Sequence, residues 1–200
     1  PGIKAALGMA LKETIGDPAA GNWADLGLPL YDMVGSAIPG ASVDLRTEVA
    51  AAFRANYDST YWSVARAYPG GKKCLSALRA AGVRIFVVTN KRANVARRLL
   101  DHFGLSSYLE DVLGQADNGD PVTKAELAGR CLTSRGIDPA CAVVVGDSSQ
   151  DAAMAEAWHM AFILVTYGGE RRGSEQTNVT RTEAGSLSEV AEIVLRGWAG

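Results

Sequence analysis

Histidine occurs only twice in these 200 residues, at His102 and His159, and cysteine three times, at Cys74, Cys131 and Cys141. Neither histidine has a serine or cysteine placed to complete a nucleophilic triad, so both read as structural. The cysteines form no CxxC pair and no zinc spacing, and their odd number along apolar segments predicts buried, reduced thiols of a cytoplasmic protein. The longest apolar runs, such as Met160 to Val165, are far too short to cross a bilayer, and no signal peptide is visible. The sequon Asn178-Val179-Thr180 is then a chance match in a loop. There is no basic block either: 20 basic residues stand against 22 acidic ones, for a net charge of −2. Nothing in that balance is suited to a phosphate backbone, which argues against a nucleic-acid partner. No GxGxxG follows an apolar run, which disfavours a dinucleotide-binding domain.

Apolar residues make up 48% of the chain, enough for a buried core, and its length fits one ordinary domain or one domain carrying a small accessory domain. Two textures divide it near Arg66. From Ile3 to Arg66 the pattern is helical: Ile3, Leu7, Leu11 and Ile15 share a face, and Gly16-Asp17-Pro18 stops that helix. A short helix is expected at 29–34. A longer one is expected at 42–65, with Leu45, Val49, Phe53 and Tyr57 on its stripe. After Tyr68-Pro69-Gly70, helices alternate with short apolar strands. Strands are expected at 83–88, 111–113, 142–145 and 162–165, and helices at 72–81, 93–103, 124–135, 149–158 and 187–198. Residues 168–185 read as a polar loop. Strands separated by helices imply right-handed crossovers and a parallel sheet covered on both faces.

Three groups of polar residues fall where such strands end or helices begin. Thr89-Asn90 ends one strand and Lys124 opens a helix. Asp147 and Asp151 follow the run Ala142-Val143-Val144-Val145-Gly146. Ligands bind in open α/β sheets at that carboxyl edge. A hydroxyl and an amide can hold a phosphoryl oxygen, a lysine offsets its charge, and paired carboxylates suit Mg²⁺. Together they supply most of what phosphoryl transfer requires. Each has a bland alternative: a strand-ending turn for Thr89-Asn90, a solvated lysine for Lys124, and a dipole-favoured helix-start acid for Asp151.

In order and spacing, Tyr68-Pro69-Gly70, Val87-Val88-Thr89-Asn90-Lys91, Thr123-Lys124-Ala125-Glu126-Leu127, Gly146-Asp147-Ser148-Ser149-Gln150-Asp151 and Val165-Thr166-Tyr167-Gly168 form a joint pattern. In it the chain resembles the haloacid dehalogenase-like hydrolases, particularly their phosphoglycolate phosphatase-like branch. That resemblance implies an α/β, Rossmann-like parallel-sheet core at residues 67–200 and a small all-helical cap at residues 1–66. It assigns Thr89 to catalysis and, with Asn90, to phosphate binding. Lys124 would steady the nucleophile and the phosphoryl charge, and Asp147 with Asp151 would hold Mg²⁺. The expected partner is a small phosphorylated metabolite, with no nucleic acid and no membrane. The cap would shape substrate choice through residues between Gly27 and Met33. GDSSQD also points to phosphate esters rather than C–Cl bonds.

The family's first motif, a strand followed by DxDGT that supplies the nucleophilic Asp, has no counterpart: no DxD occurs anywhere in the chain. Asp117 and Asp120 read as turn residues. Pro1-Gly2-Ile3-Lys4 resembles the segment just after that motif, although a leading Pro is also compatible with loss of an initiator Met. The absent strand would lie centrally, between those ending at Thr89 and Asp147. Its loss would orphan backbone groups at about 1–3 kcal/mol each. The sheet must then repack, borrow a strand, or expose an edge that invites self-association. Two functions follow: a Mg²⁺-dependent phosphomonoesterase whose nucleophile is not in this chain, or a non-catalytic phosphate- or metabolite-binding relative. Trp158-His159 departs from the small residue, often Gly, that the family places there, and predicts altered packing.

Overall fold

The computed structural model describes residues 2–18, 28–117, 121–167 and 181–197. The chain divides into two compact units, Pro1–Arg66 and Ala67–Gly200. In the first, helix α1 (Gly2–Ile15), α2 (Leu30–Ala37) and α3 (Val43–Ser59) are followed by a 3-10 turn at Tyr61–Val64. Ala6, Leu7, Ala10 and Leu11 of α1 meet Val49 and Phe53 of α3 in a buried core. Gly2 opens α1 because the carbonyl oxygen of Tyr61 lies 2.3 Å from where a Cβ would stand. The expected helix at 42–65 ends at Ser59, where Thr60 leaves helical geometry and the 3-10 turn takes over.

The second unit alternates α4 (Gly71–Ala80), β1 (Phe86–Arg92), α5 (Ala93–His102), β2 (Asp111–Gln115), α6 (Lys124–Arg135), β3 (Val143–Gly146), α7 (Ser149–Ala157), β4 (Ala161–Val165), β5 (Arg181–Ala184) and α8 (Leu187–Arg196). All strand pairings are parallel: β1 with β2, and β3 with β4 with β5. One core cluster joins α6 and α7 to Val144 and Phe162, with Val88 of β1 packed against it. Another joins α4 and α8 to Ile163 and Ala184. The sheet is therefore covered on both faces, as continuous apolar strands require.

Among the described residues the strands form two sheets, β1-β2 and β3-β4-β5. One edge of β1 and one of β3 carry no ladder. Val145, in the middle of the apolar strand β3, is 42% exposed, whereas its neighbour Val144 is buried. In a sheet covered on both faces such a residue normally meets a neighbouring strand or helix.

Two expectations change, at residues 181–184 and at Cys141. Residues 181–184, expected as loop, form β5, because pairing with β4 supplies the ladder that a polar sequence does not advertise. Residues 168–180, with Asn178, lie outside the described residues, as do Gly27 and Asp120. Cys74 and Cys131 are buried, but Cys141 is exposed in a 3-10 turn before β3. No described helix is long and apolar enough to cross a membrane.

Candidate active site

Strand β1 does not stop at Thr89-Asn90 as expected; it arches and resumes. Val88 pairs with Leu113 and Arg92 with Gln115, so Thr89, Asn90 and Lys91 stand opposite a single residue of β2, Gly114. Bulges of this kind re-aim side chains at sheet edges and beside active sites. Two contacts fix the arch. The Lys91 backbone N–H donates to Thr89 Oγ1 at 3.2 Å. A Cβ on Gly114 would lie 2.4 Å from the Lys91 carbonyl oxygen, so only glycine admits this approach.

Across the unpaired edges, Asn90 Nδ2 donates to Gln150 Oε1 at 2.6 Å. Thr89 and Asn90 are thereby held beside the turn that leaves β3. That turn is built around Asp151. Ser148 caps α7 and accepts the Asp151 N–H, while Asp151 Oδ2 accepts from the Ser148 backbone N–H and hydroxyl at 3.2 and 2.5 Å. Gly146 is obligatory here, since its Cβ would stand 2.3 Å from the Asp151 carboxyl carbon. The other oxygen, Oδ1, accepts from Lys124 Nζ at 2.7 Å. The pair is enclosed, with side-chain exposures of 15% for Lys124 and 8% for Asp151.

Lys124 owes its place to α6. Thr123 and Glu126 close a reciprocal capping box that starts the helix at Lys124. Trp158, after α7, holds the same turn: its indole N–H donates to the Ala125 carbonyl at 2.7 Å. The ring occupies the space of a side chain at Gly129, where a Cβ would be 2.2 Å from it. The bulk at Trp158 is thus matched by the absence of bulk on α6. His159, next to it, adopts φ +51°, a left-handed conformation that favours glycine.

Asp147 is exposed at the end of β3. Burial first, then the neighbouring Cys74 and Tyr68 and last the Asp147 charge, push the Tyr167 phenol up to about 12. Tyr68 packs edge-on against Tyr167, ring centroids 5.2 Å apart. Lys91 lies within reach of Lys124's charge. Burial lowers its ammonium below the ordinary lysine value, and the like charge of Lys124 lowers it further.

The structure therefore places Thr89, Asn90, Lys124 and Asp151 in one bonded neighbourhood, with Asp147 on its exposed side. Among the described residues no group of three His, Cys, Asp or Glu side chains is close enough to hold a metal ion. The donor chemistry still suits Mg²⁺, which takes one or two carboxylates and fills its shell with water and substrate oxygens. Asp147 is open for that, whereas both Asp151 oxygens are already engaged by Lys124 and Ser148.

The haloacid dehalogenase-like hydrolase profile matches residues 3–159. The chain belongs to the haloacid dehalogenase-like hydrolases. Phosphoglycolate phosphatase from Cereibacter sphaeroides is 32% identical over 180 residues, covering 84% of this chain and 79% of its own. Tyrosine-protein kinase PtkA from Mycobacterium tuberculosis is 30% identical over 171 residues, again 84% of this chain, but the chain spans only 58% of that protein's length. A haloacid dehalogenase-like family protein from Streptococcus pneumoniae superposes with a TM-score of 0.83 at 21% identity, over 96% of this chain and 90% of that one. The likeness to phosphoglycolate phosphatase supports the phosphatase side of the family and its phosphoglycolate phosphatase-like branch, and the superposition shows the fold.

Residue-level reading missed three contributors, Ser148, Gln150 and Gly129. Ser148 was legible, since serine three residues before an acid is a capping-box pattern. Gln150 and Gly129 carried no local signal, because their roles arise from contacts across the sheet or between helices; Trp158 was marked for altered packing, but not the glycine it fills against.

Proposed function

We propose that this chain carries the charge-stabilising half of a Mg²⁺-dependent phosphomonoester hydrolase acting on a small phosphorylated metabolite. The carrying observation is the enclosed Lys124–Asp151 pair, tied through the α7 turn and Gln150 to Asn90 beside Thr89. Thr89 and Asn90 would hold phosphoryl oxygens, and Lys124 would offset the charge that builds on them. Asp147 would hold Mg²⁺, with Asp151 supporting through its position rather than a free oxygen. The ion would supply positive charge to the phosphoryl oxygens. The likeness to phosphoglycolate phosphatase makes a phosphorylated carboxylic acid the first substrate to try. The nucleophile would come on a strand seated between β1 and β3, which no ladder joins among the described residues.

The non-catalytic alternative, a phosphate- or metabolite-binding relative, draws on one observation: no DxD pair exists in the sequence. Both readings require an oxyanion site, so binding is the first test. Titration of the chain with orthophosphate and Mg²⁺ by calorimetry should show saturable phosphate binding that Mg²⁺ strengthens. Asp147→Asn should abolish the Mg²⁺ effect and leave phosphate binding in its absence. Absence of any phosphate binding, or an equal Mg²⁺ effect in the variant, would sink the assignment.

A further inference from the structure

Trp158 has no chemical part in the site as assigned so far, yet the fold makes room for its ring and uses its N–H. The indole donates to the Ala125 carbonyl at 2.7 Å. The ring lies where a side chain at Gly129 would stand, one turn further along α6. Both contacts fall beside the turn that carries Lys124. A cation in the first turn of a helix is opposed by the helix dipole, so the start of α6 depends on support from elsewhere. Three contacts give it. Thr123 and Glu126 close the capping box. Lys124 Nζ donates to Asp151, in the first turn of α7, at 2.7 Å. The indole then ties the next residue, Ala125, to the opposite end of that same helix. Consecutive residues of α6 are thus held by both ends of α7. Beside the indole, His159 keeps its left-handed φ of +51°, a conformation that costs a residue with a side chain roughly 1–2 kcal/mol. Backbone strain and a bare Gly129 are both accepted where the ring is seated.

We propose that Trp158 is a positioning residue for the phosphoryl site. Its indole holds the first turn of α6, so that Lys124 meets Asp151 and the phosphoryl oxygens from one fixed place. A charged donor fixed before the anion arrives spares binding the cost of ordering it. This assignment rests on the phosphoryl site proposed above.

The probe is orthophosphate, titrated into the full chain by calorimetry. Trp158→Phe keeps a ring against Gly129 but has no N–H for the Ala125 carbonyl. Its dissociation constant for phosphate should rise about three- to tenfold, the range of one lost hydrogen bond. Gly129→Ala, which pushes the ring out from the other side, should weaken phosphate binding by a similar factor. Val194→Ala opens a cavity in the separate core cluster of α4 and α8; it should lower stability and leave the dissociation constant unchanged. In ¹⁵N spectra of the unmodified chain, the Trp158 indole resonance should move on saturation with phosphate, because Ala125 adjoins Lys124. If Trp158→Phe binds phosphate as tightly as the unmodified chain, or if Val194→Ala weakens binding equally, Trp158 only packs and the proposal is overturned. If the unmodified chain binds no phosphate at all, the phosphoryl site fails and the proposal with it. Should the Phe variant not fold, the indole resonance decides alone, and an unmoved resonance overturns the proposal.

Discussion

At the scale of single residues, the Lys124–Asp151 pair is where structure and chemistry meet most closely. Each partner would be an uncompensated charge without the other, and removal of one member of a buried pair costs about 3–5 kcal/mol. Asp151→Asn should therefore destabilise the chain by an amount near the low end of that range, measured by urea unfolding. Much of the loss should return in the double variant with Lys124→Met, which leaves no buried charge behind. Lys91 gives a pH test with a defined sign. Its folded value lies below the ordinary lysine value, so protonated Lys91 penalises the folded state. That penalty is present below the folded value and is relieved as pH rises through it towards about 10.4. The melting temperature of the unmodified chain, minus that of Lys91→Met, should rise over this interval. Burial raises the Cys74 and Cys131 thiols, and these remove stability at alkaline pH in both proteins, which is why the difference is the informative quantity. The positions of Asp147, Asp151 and Lys124 beside strand and helix ends could be read from sequence, because apolar pattern and turn residues mark them. Thr89 was expected to end its strand, but β1 arches there and pairs again at Arg92, which no local signal announces.

At the scale of elements, helix α6 was legible to the residue, from Thr123 as cap to Arg135 before Gly136 in the left-handed region. Capping box, periodicity and terminal glycine all agree there. Strand β1 was misplaced, because its apolar run predicts where pairing starts and stops but not an arch paired again beyond it. Strand β5 was missed because its residues, Arg181-Thr182-Glu183-Ala184, acquire strand geometry only from β4. The α6–α7 contact offers a direct test of shape matching. Gly129→Ala should gain about 1 kcal/mol of helix propensity yet lose more by forcing the Trp158 ring outward, with overpacking typically costing about 1–3 kcal/mol. In a Trp158→Ala background the same glycine change should become stabilising, measured as a sign reversal in a double-mutant cycle. An unchanged sign would show that the indole does not fill that space.

At the scale of the whole molecule, the division of the sheet governs everything else. Both faces of the core are packed, and the Asn90–Gln150 bond ties the arch of β1 to the first turn of α7. Among the described residues, however, no ladder joins the two sheets, and Val145 is exposed. An edge of this kind invites strand addition, either from another copy or from a further segment. Lysine substituted at Val145 should suppress any self-association through that edge without loss of folding, which sedimentation velocity would show. An unchanged sedimentation profile in a self-associating chain would place the contact elsewhere. The division into a helical stretch and an alternating α/β stretch was visible in sequence because the apolar period changes near Arg66. The split of the sheet was not, since periodicity gives strands but not their neighbours.

The phosphoryl-transfer assignment is tested most directly by hydrolysis of an aryl phosphate with Mg²⁺, comparing the 200-residue chain with one extended by an N-terminal apolar strand ending in DxD. The extended chain should turn over, the unextended chain should not, and Asp147→Asn should silence the extended one. A folded, extended chain that stays inert, or turnover that survives the Asp147 change, would contradict it.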